Sequence, residues 1–153
     1  MNNELITLIH GTPGHWVTAV TGGGTTALSR LLGVPGASRT LLEATIPYAQ
    51  TALTAYLGNT PAQAASSQTA RALAMAAFQR ARQLTASQGA TASDADQGRE
   101  TPLFGLGASA ALVTDRSRRG DDHCFVAVQS RQASWEFSLT FGKAGRQRSE
   151  QEQ

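Results

Sequence analysis

The sequence predicts an α/β fold, namely a layered α/β/α domain with a mixed sheet, and three observations support this prediction. Helical and strand-like segments alternate through the first half of the chain, which is typical of parallel β/α units. In the second half, strand-like segments follow one another directly, which favours antiparallel pairing. Between residues 17 and 29, a short apolar strand leads through a glycine turn into a helix.

The composition is that of one globular domain with few charges. The chain has 153 residues and a net charge of +2, and it is long enough to bury a core. Its twelve arginines are scattered except for Arg116, Arg118 and Arg119, a cluster too small to indicate nucleic-acid binding. Cys124 is the only cysteine, so no internal disulfide can form. We therefore expect a single domain over residues 1–153 that is cytoplasmic, with no nucleic-acid or membrane partner.

Apolar spacing and breaker residues predict the elements of the first half in order. They are a helix over 2–9, a strand over 16–21, a helix ending near Leu32, a strand over 41–46 and a helix ending near Leu57. The best-defined helix begins near Ser66 or Ser67, which are good N-cap residues. Its apolar positions recur at helical spacing and are rich in alanine, so we expect it to pack closely on the sheet. They are Ala70, Leu73, Ala74, Ala77, Phe78, Ala81 and Leu84.

The second half begins with a polar stretch over residues 86–101, predicted to be a mobile surface loop inserted in the domain. Three strands are predicted after it, over 104–113, 123–129 and 134–141. The chain closes on residues 148–153, which are typical of the first turn of a helix capped by Ser149. That helix has no apolar face to dock, so we expect it to fray or to be the start of an incomplete C-terminal helix.

The glycine turn is the strongest functional signal from the residues themselves. Three consecutive glycines, Gly22 to Gly24, permit positive φ angles and leave the peptide N–H groups unshielded. Where such a turn opens a helix, the unpaired N–H groups and the helix dipole attract an anion. The hydroxyls of Thr21, Thr25 and Thr26 would add donors to a phosphate or would simply cap the helix. The alternative is a purely structural turn.

Three other motifs are weaker. Residues 10–14 are similar to the oxyanion turn of α/β-hydrolases, but the chain lacks a Gly-x-Ser-x-Gly elbow, so His10 and His15 are predicted to be loop residues. Residues 121–124 hold metal-ligand types, but alternate side chains of a strand point to opposite faces, and we predict no metal. Residues 105–110 match a loose dinucleotide fingerprint that strand-like sequence follows, so we predict no cofactor.

Four segments stand in an order that is typical of one known family. They are Thr18-Ala19-Val20-Thr21-Gly22-Gly23, Pro35-Gly36-Ala37-Ser38, Tyr48-Ala49-Gln50-Thr51-Ala52-Leu53 and Gly105-Leu106-Gly107-Ala108. Together they resemble the CinA C-terminal domain family, whose enzymatic members are nicotinamide mononucleotide deamidases. The family motifs are Glu-Ser-Cys/Thr-Thr-Gly-Gly, Pro/Ala-Gly-Ser-Ser, Tyr-Ser-Asn-Glu-x-Lys and Gly-Ile-x-Gly-Pro. The resemblance implies a CinA C-terminal-like domain that forms a homo-oligomer.

The resemblance also implies a catalytic pair that this chain does not have. In the family, a serine nucleophile is thought to be activated by a lysine, whose neutral amine accepts the hydroxyl proton. Here the serine position holds Ala19, or Val20 if the alignment shifts by one, and the lysine position holds Leu53. The only lysine, Lys143, lies outside the matching motif. We therefore predict no catalytic residue.

Ligand binding is the part of the family's function that the remaining residues could still perform. The predicted ligand-binding residues are Thr21, Gly22, Gly23, Gly24, Thr25, Ser38 and Tyr48. The favoured hypothesis is a nucleotide- or phosphate-binding or regulatory module without deamidase activity. A second hypothesis is an active amidohydrolase on nicotinamide mononucleotide or a similar nucleotide, using a relocated hydroxyl nucleophile. A third is a structural domain without a ligand.

Overall fold

A mixed five-stranded sheet forms the centre of the molecule. The computed structural model describes residues 3–87, 101–115, 120–142 and 147–152. The strands are β1 (His15–Thr21), β2 (Leu41–Thr45), β3 (Leu103–Ala111), β4 (Asp122–Gln129) and β5 (Ser134–Phe141). They lie in the order β2-β1-β3-β4-β5. β1 pairs in parallel with β2 and β3, whereas β3, β4 and β5 pair antiparallel. The predicted α/β fold with a mixed sheet is confirmed.

Five α-helices and one short 3-10 helix surround this sheet in the described part of the chain. They are α1 (Asn3–Gly11), α2 (Thr25–Gly33), the 3-10 helix (Ala37–Arg39), α3 (Gln50–Leu57), α4 (Ser67–Ser87) and α5 (Arg148–Gln151). The five α-helices lie where the sequence predicts helices, and the 3-10 helix was not predicted. The predicted cap of α5 is wrong, because Gln147 and not Ser149 caps this helix. None of the helices in the described ranges is both long and apolar enough to cross a bilayer.

Some sequence predictions concern residues outside the described ranges. α4 continues to Ser87, so only the ends of the predicted loop over 86–101 are described. The arginine cluster at 116–119 and Lys143 also lie outside the described residues.

One side of the sheet, which we call the closed face, is covered by α3 and α4. Its residues on β1 are Val17, which packs against two alanines of α4, and Ala19, which packs against Leu73 of α4. Two further alanines of α4 pack against Ala127. Gly105 and Gly107 face α4, and a Cβ at either glycine would overlap the backbone of that helix. Small residues on both sides therefore allow the close helix–sheet packing that the alanine pattern predicts.

The other side, which we call the open face, is only partly covered. α2 lies over β1 and β3, where Leu28 packs with Val20 and Ala108 in one buried cluster. On β5, the apolar side chains Phe137 and Leu139 are exposed. The sheet thus has a helix layer on each side, as expected, but the layer on the open face is incomplete in the described part of the chain.

Candidate functional site

The glycine turn connects β1 to α2 and is shaped by two left-handed residues. Gly22 has φ 76° and Gly24 has φ 96°, a region that side chains with a Cβ rarely adopt. A Cβ at Gly22 would also overlap the carbonyl oxygen of Ala110 on the neighbouring strand. Glycine is therefore required here both by backbone conformation and by close contact with β3.

The amides of this turn bind a carboxylate that belongs to the same chain. The backbone N–H of Gly24 donates to Oε2 of Glu152 over 2.9 Å, and the N–H of Thr26 points to the same oxygen over 3.5 Å. The hydroxyl of Thr25 is 3.4 Å from that oxygen. Since these donors lie at the start of α2, the helix dipole also favours the negative charge. The turn therefore holds an anion, and that anion is Glu152.

Arg148 ties the same C-terminal segment to the turn from the other side. Its guanidinium donates to the carbonyl oxygens of Gly22 over 2.8 Å and Val113 over 3.1 Å. It also lies 3.7 Å from the carboxylate of Glu152, one helical turn away. Arg148 thus donates to a carbonyl of the turn, and Glu152 accepts from its amides.

Gln151 completes the docking of the C-terminal segment. Its buried side chain accepts a hydrogen bond from the N–H of Val113 over 2.8 Å and donates one to Asp122 over 2.8 Å. The sequence analysis found nothing on α5 that could dock, because the helix has no apolar face. That expectation is wrong for the described residues, because α5 docks through polar side chains. Whether α5 is the start of a longer helix remains a prediction.

Two other predicted binding residues lie close to the turn. Thr21 is buried, and its hydroxyl donates to the carbonyl oxygen of Pro47 over 3.0 Å, so it joins the end of β1 to the segment after β2. Tyr48 follows Pro47 and is exposed. With Asp115 and Arg148, it lines a cleft of about 550 Å³. The fold therefore brings Thr21 and Tyr48 to the same end of the sheet as the glycine turn.

Ser38 lies elsewhere. It is on the 3-10 helix that precedes β2, next to Thr40, whose carbonyl bonds to the N–H of Trp16 at the start of β1. The turn follows the opposite end of β1, roughly 20 Å away at the usual rise per strand residue. A small ligand at the turn would not reach Ser38 of the same chain, so a role for Ser38 remains a separate prediction.

The two positions to which the resemblance assigns the family's catalytic pair lie in the core. Ala19 on β1 and Leu53 on α3 are 0% and 1% exposed and belong to one apolar cluster with Leu73 of α4. The fold thus places both positions in one cluster, as a serine–lysine pair would require. Here they hold a methyl group and an isobutyl group, which can neither attack a carbonyl nor accept a proton.

His10 and His15 both lie in regular secondary structure. His10 is buried in α1, with Nε2 3.0 Å from the carbonyl of Leu31 and Nδ1 3.0 Å from the hydroxyl of Thr40. Because a carbonyl only accepts, Nε2 carries the proton and Nδ1 accepts from Thr40. His15 begins β1, so the prediction that His10 and His15 are loop residues is wrong. Within the described ranges, no group of three or more His, Cys, Asp or Glu side chains could hold a metal ion.

Fold and site together define a class of protein: an α/β domain with a glycine-rich anion turn after its first strand. The sequence matches no protein-family model and no curated protein sequence. Solved structures do match it. It is similar to the competence/damage inducible protein CihA from Agrobacterium tumefaciens, with 18% identity and a TM-score of 0.68, over 96% of this chain and 81% of that one.

Two further structures have the same fold. A protein of the competence-damaged protein (CinA) superfamily from Escherichia coli has 12% identity and a TM-score of 0.61, over 92% of this chain and 74% of that one. A competence or damage-inducible protein from Enterobacter asburiae has 14% identity and a TM-score of 0.60, over 92% and 80%. The CinA-like fold that the motifs indicated is confirmed. At these identities the likeness concerns the fold alone.

The residues that sequence reasoning missed are Arg148, Gln151 and Glu152. They follow the last strand by several positions, and nothing in their pattern connects them to a turn more than a hundred residues earlier. A local signal does exist for the helix start, since the side chains of Gln147 and Glu150 form a capping box. The contact between α5 and the glycine turn, in contrast, is visible only in the structure.

Proposed function

We propose that this chain is a binding or regulatory module with a CinA-like fold that binds a small nucleotide or phosphate at its glycine turn and does not hydrolyse it. The observation that carries the proposal is the carboxylate of Glu152 on the amides of Gly24 and Thr26. Backbone amides at a helix start hold phosphate oxygens in the same way as carboxylate oxygens. Glu152 therefore stands where a ligand phosphate would bind. We place this activity in the cytoplasm, as the sequence analysis expects.

The cleft beside the turn has room for the rest of such a ligand. Its volume of about 550 Å³ is within the range of small-molecule sites. Arg148 supplies positive charge at its edge, and the exposed ring of Tyr48 offers a surface on which a base could stack. Arg148, which bonds to the carbonyl of Gly22, connects this cleft to the turn, whereas Gly24 and Glu152 themselves line an apolar groove on the open face.

Glu152 would then act as an internal competitor. A ligand phosphate can reach the amides only in the fraction of molecules in which Glu152 has left them. The apparent Kd is raised by the inverse of that fraction. The C-terminal segment would thus set the concentration at which the module responds, which is the regulatory part of the proposal.

The chemistry of the buried cluster supports binding without hydrolysis. Ala19 and Leu53 contribute no nucleophile and no base, and neither is accessible to water. The hydroxyl of Thr21, one candidate for a relocated nucleophile, is bonded to the carbonyl of Pro47, which cannot accept a proton in catalysis.

A ligand-dependent thermal shift tests the proposal. The full chain would be heated with nicotinamide mononucleotide, adenosine monophosphate or inorganic phosphate. We expect the Tm to rise with the concentration of at least one probe. Glu152→Gln should respond at roughly tenfold lower concentration, because it removes the competing charge. Glu150→Gln is the matched control, since Glu150 lies on the same helix and its carboxylate accepts from the N–H of Gln147, the cap of that helix.

Two results would argue against binding at the turn. In one, no probe shifts the Tm of either the natural chain or Glu152→Gln. In the other, Glu150→Gln and Glu152→Gln respond alike. The first result would favour the hypothesis of a structural domain without a ligand.

The alternative, an active amidohydrolase, is favoured by one contact. The hydroxyl of Thr25 lies 3.4 Å from Oε2 of Glu152, which pairs a potential nucleophile with a potential base. The distance is long for such a bond, and the same oxygen accepts from the Gly24 amide. Incubation with nicotinamide mononucleotide should release no ammonia. Steady release of ammonia that the Thr25→Ala substitution abolishes would contradict our proposal and support the amidohydrolase.

A further inference from the structure

The glycine turn lies at the edge of the apolar groove on the open face. The groove has a volume of about 370 Å³, which is within the range of small-molecule sites. Gly24 and Glu152 both line it, whereas neither of them lines the cleft beside Tyr48. The organic part of a phosphate ester held by the amide of Gly24 would therefore lie in the groove.

The lining of the groove is almost entirely apolar. Residues of α2 form one wall, residues of β5 form the other, and β1, β3 and β4 form the floor. Six of the lining residues are Leu28, Leu31, Leu106, Val126, Phe137 and Leu139. Hydroxyl groups of a sugar would lose their hydrogen bonds to water against such walls. An apolar cavity of roughly 150 Å³ takes one benzene ring, so the groove has room for an apolar body of about two rings.

Two polar groups in the groove have no partner in the described part of the chain. Alternation along β1 places Trp16 and Thr18 on the open face, and both line the groove. Thr18 is 2% exposed, and neither its hydroxyl nor the indole N–H of Trp16 has a hydrogen-bond partner among the described residues. An acceptor on a ligand would satisfy such buried donors. Thr18 precedes the end of β1 by three residues, so this acceptor would lie roughly 10 Å from the turn.

We propose that the ligand of the glycine turn is a phosphate ester whose organic part is an apolar body of about two rings that carries one hydrogen-bond acceptor. This inference rests on the proposed function, because it takes the turn as the phosphate site. The phosphate replaces Glu152 on the N–H groups of Gly24 and Thr26, the body fills the groove, and the acceptor pairs with Thr18. The groove thus selects among phosphates, whereas the backbone amides of the turn recognise only the anion.

Calorimetric titration of the full chain with three probes tests the proposal. Inorganic phosphate supplies the anion alone, 2-naphthol the apolar body alone, and 2-naphthyl phosphate both. We expect 2-naphthyl phosphate to bind at least about 30-fold more tightly than inorganic phosphate, because its rings leave water on entering the groove. It should also bind at least about tenfold more tightly than 2-naphthol. Glu152→Gln should strengthen the binding of both phosphates and leave that of 2-naphthol unchanged.

Two residues that line the groove report where the rings bind. Ala27 is exposed on α2, so Ala27→Trp should narrow the groove and weaken 2-naphthyl phosphate at least about tenfold without weakening inorganic phosphate. Ser29→Trp is the matched control, because Ser29 is exposed on the same helix outside the groove. Cys124 lines the groove, so saturating 2-naphthyl phosphate should slow its alkylation by iodoacetamide, and inorganic phosphate should not.

The predicted acceptor has its own test. 4-Methylumbelliferyl phosphate has a two-ring body with a carbonyl at the end far from the phosphate, whereas 2-naphthyl phosphate has no such acceptor. Thr18→Val keeps the shape of the side chain and removes its hydroxyl. It should weaken 4-methylumbelliferyl phosphate at least about fivefold and leave 2-naphthyl phosphate no weaker. Equal effects on the two probes would contradict the pairing with Thr18. Thermal melts establish that every variant folds.

The outcomes separate this inference from the proposed function. Inorganic phosphate that binds more tightly to Glu152→Gln, together with 2-naphthyl phosphate that binds no more tightly than inorganic phosphate, would overturn the inference and leave the proposed function standing. Equal affinities for 2-naphthol and 2-naphthyl phosphate, in the natural chain and in Glu152→Gln, would mean that the groove takes the rings without the turn, and both would be overturned. Failure of every probe to bind would also overturn both.

Discussion

The two faces of the sheet differ most along a single strand, β1. On the closed face, Ala19 is sealed against Leu53 and Leu73, and the space a catalytic pair would need is filled by apolar packing. On the open face, Thr18 and Val20 line the groove, and the turn that follows β1 keeps its amides on an anion. Amide donors belong to the backbone and survive changes of side chain, whereas a nucleophile does not. A change of side chain can therefore remove a nucleophile from this fold without removing the amide donors of the turn.

The largest loss of unfolding free energy should come from adding a side chain on the closed face, where α4 packs against the sheet. In Gly107→Val, the new Cβ would overlap the backbone of α4 at Ala70 and Ala74, which cannot move aside as a flexible side chain could. Overpacking of this kind costs about 3 kcal/mol or more of unfolding free energy. Urea denaturation of the variant measures this loss.

Gly33→Ala is the control for Gly107→Val. A Cβ at Gly33 would meet nothing within 4 Å, so the substitution should change the unfolding free energy by less than about 1 kcal/mol. Equal stabilities of the two variants would contradict the close packing that distinguishes the closed face.

A comparable effect should follow from placing a lysine at Leu53, the position that the resemblance gives to the family's lysine. Leu53→Lys places an amine in a cluster where Leu53 is 1% exposed and its neighbours are apolar. An unpaired charge in such a site costs about 3 to 5 kcal/mol near neutral pH. Leu53→Met, which keeps the volume, should cost less than about 1.5 kcal/mol.

The stability of Leu53→Lys should depend on pH. Burial disfavours the charged amine, so the pKa of the new group is lower in the folded protein than its ordinary value of about 10.4. A lowered pKa means that the unfolded chain binds more protons between the two values. Stability therefore falls as pH decreases from about 10. A pH-independent loss relative to Leu53→Met would mean that the site admits water.

Most of the fold follows from local pattern, and one helix explains why. α4 has alanine and leucine at helical spacing over about four turns, and each of its predicted apolar positions except Leu84 is buried. The alternation along β5 is equally strong. Patterns of this kind depend on neighbours in sequence, so a single chain is enough to interpret them.

The candidate site could be predicted only in part, because only some of its residues have a local signal in the sequence. The turn at Gly22–Gly24 is a local signal, and its anion-binding geometry follows from glycine and a helix start. Its partner Glu152 is distant in sequence, and polar docking leaves no periodic pattern. Ser38 comes from the family resemblance alone, and it precedes β2, at the end of β1 opposite the turn, so its binding role stays a prediction.

The smallest predicted effect is on the alkylation rate of Cys124, which lies on the open face. Burial raises the pKa of its thiol, and the nearby carboxylate of Glu152 raises it further. The thiolate is the reactive form, so alkylation by iodoacetamide at pH 8 should be at least about tenfold slower than in the urea-unfolded chain.

A closed-face reference is Ala127→Cys in a Cys124→Ala background, because Ala127 is buried under α4. That thiol should react only as fast as the protein unfolds, whereas Cys124 should react faster than unfolding and accelerate as pH rises above 8.5. Equal rates would mean that the two faces are equally closed, and the contrast between them would fail.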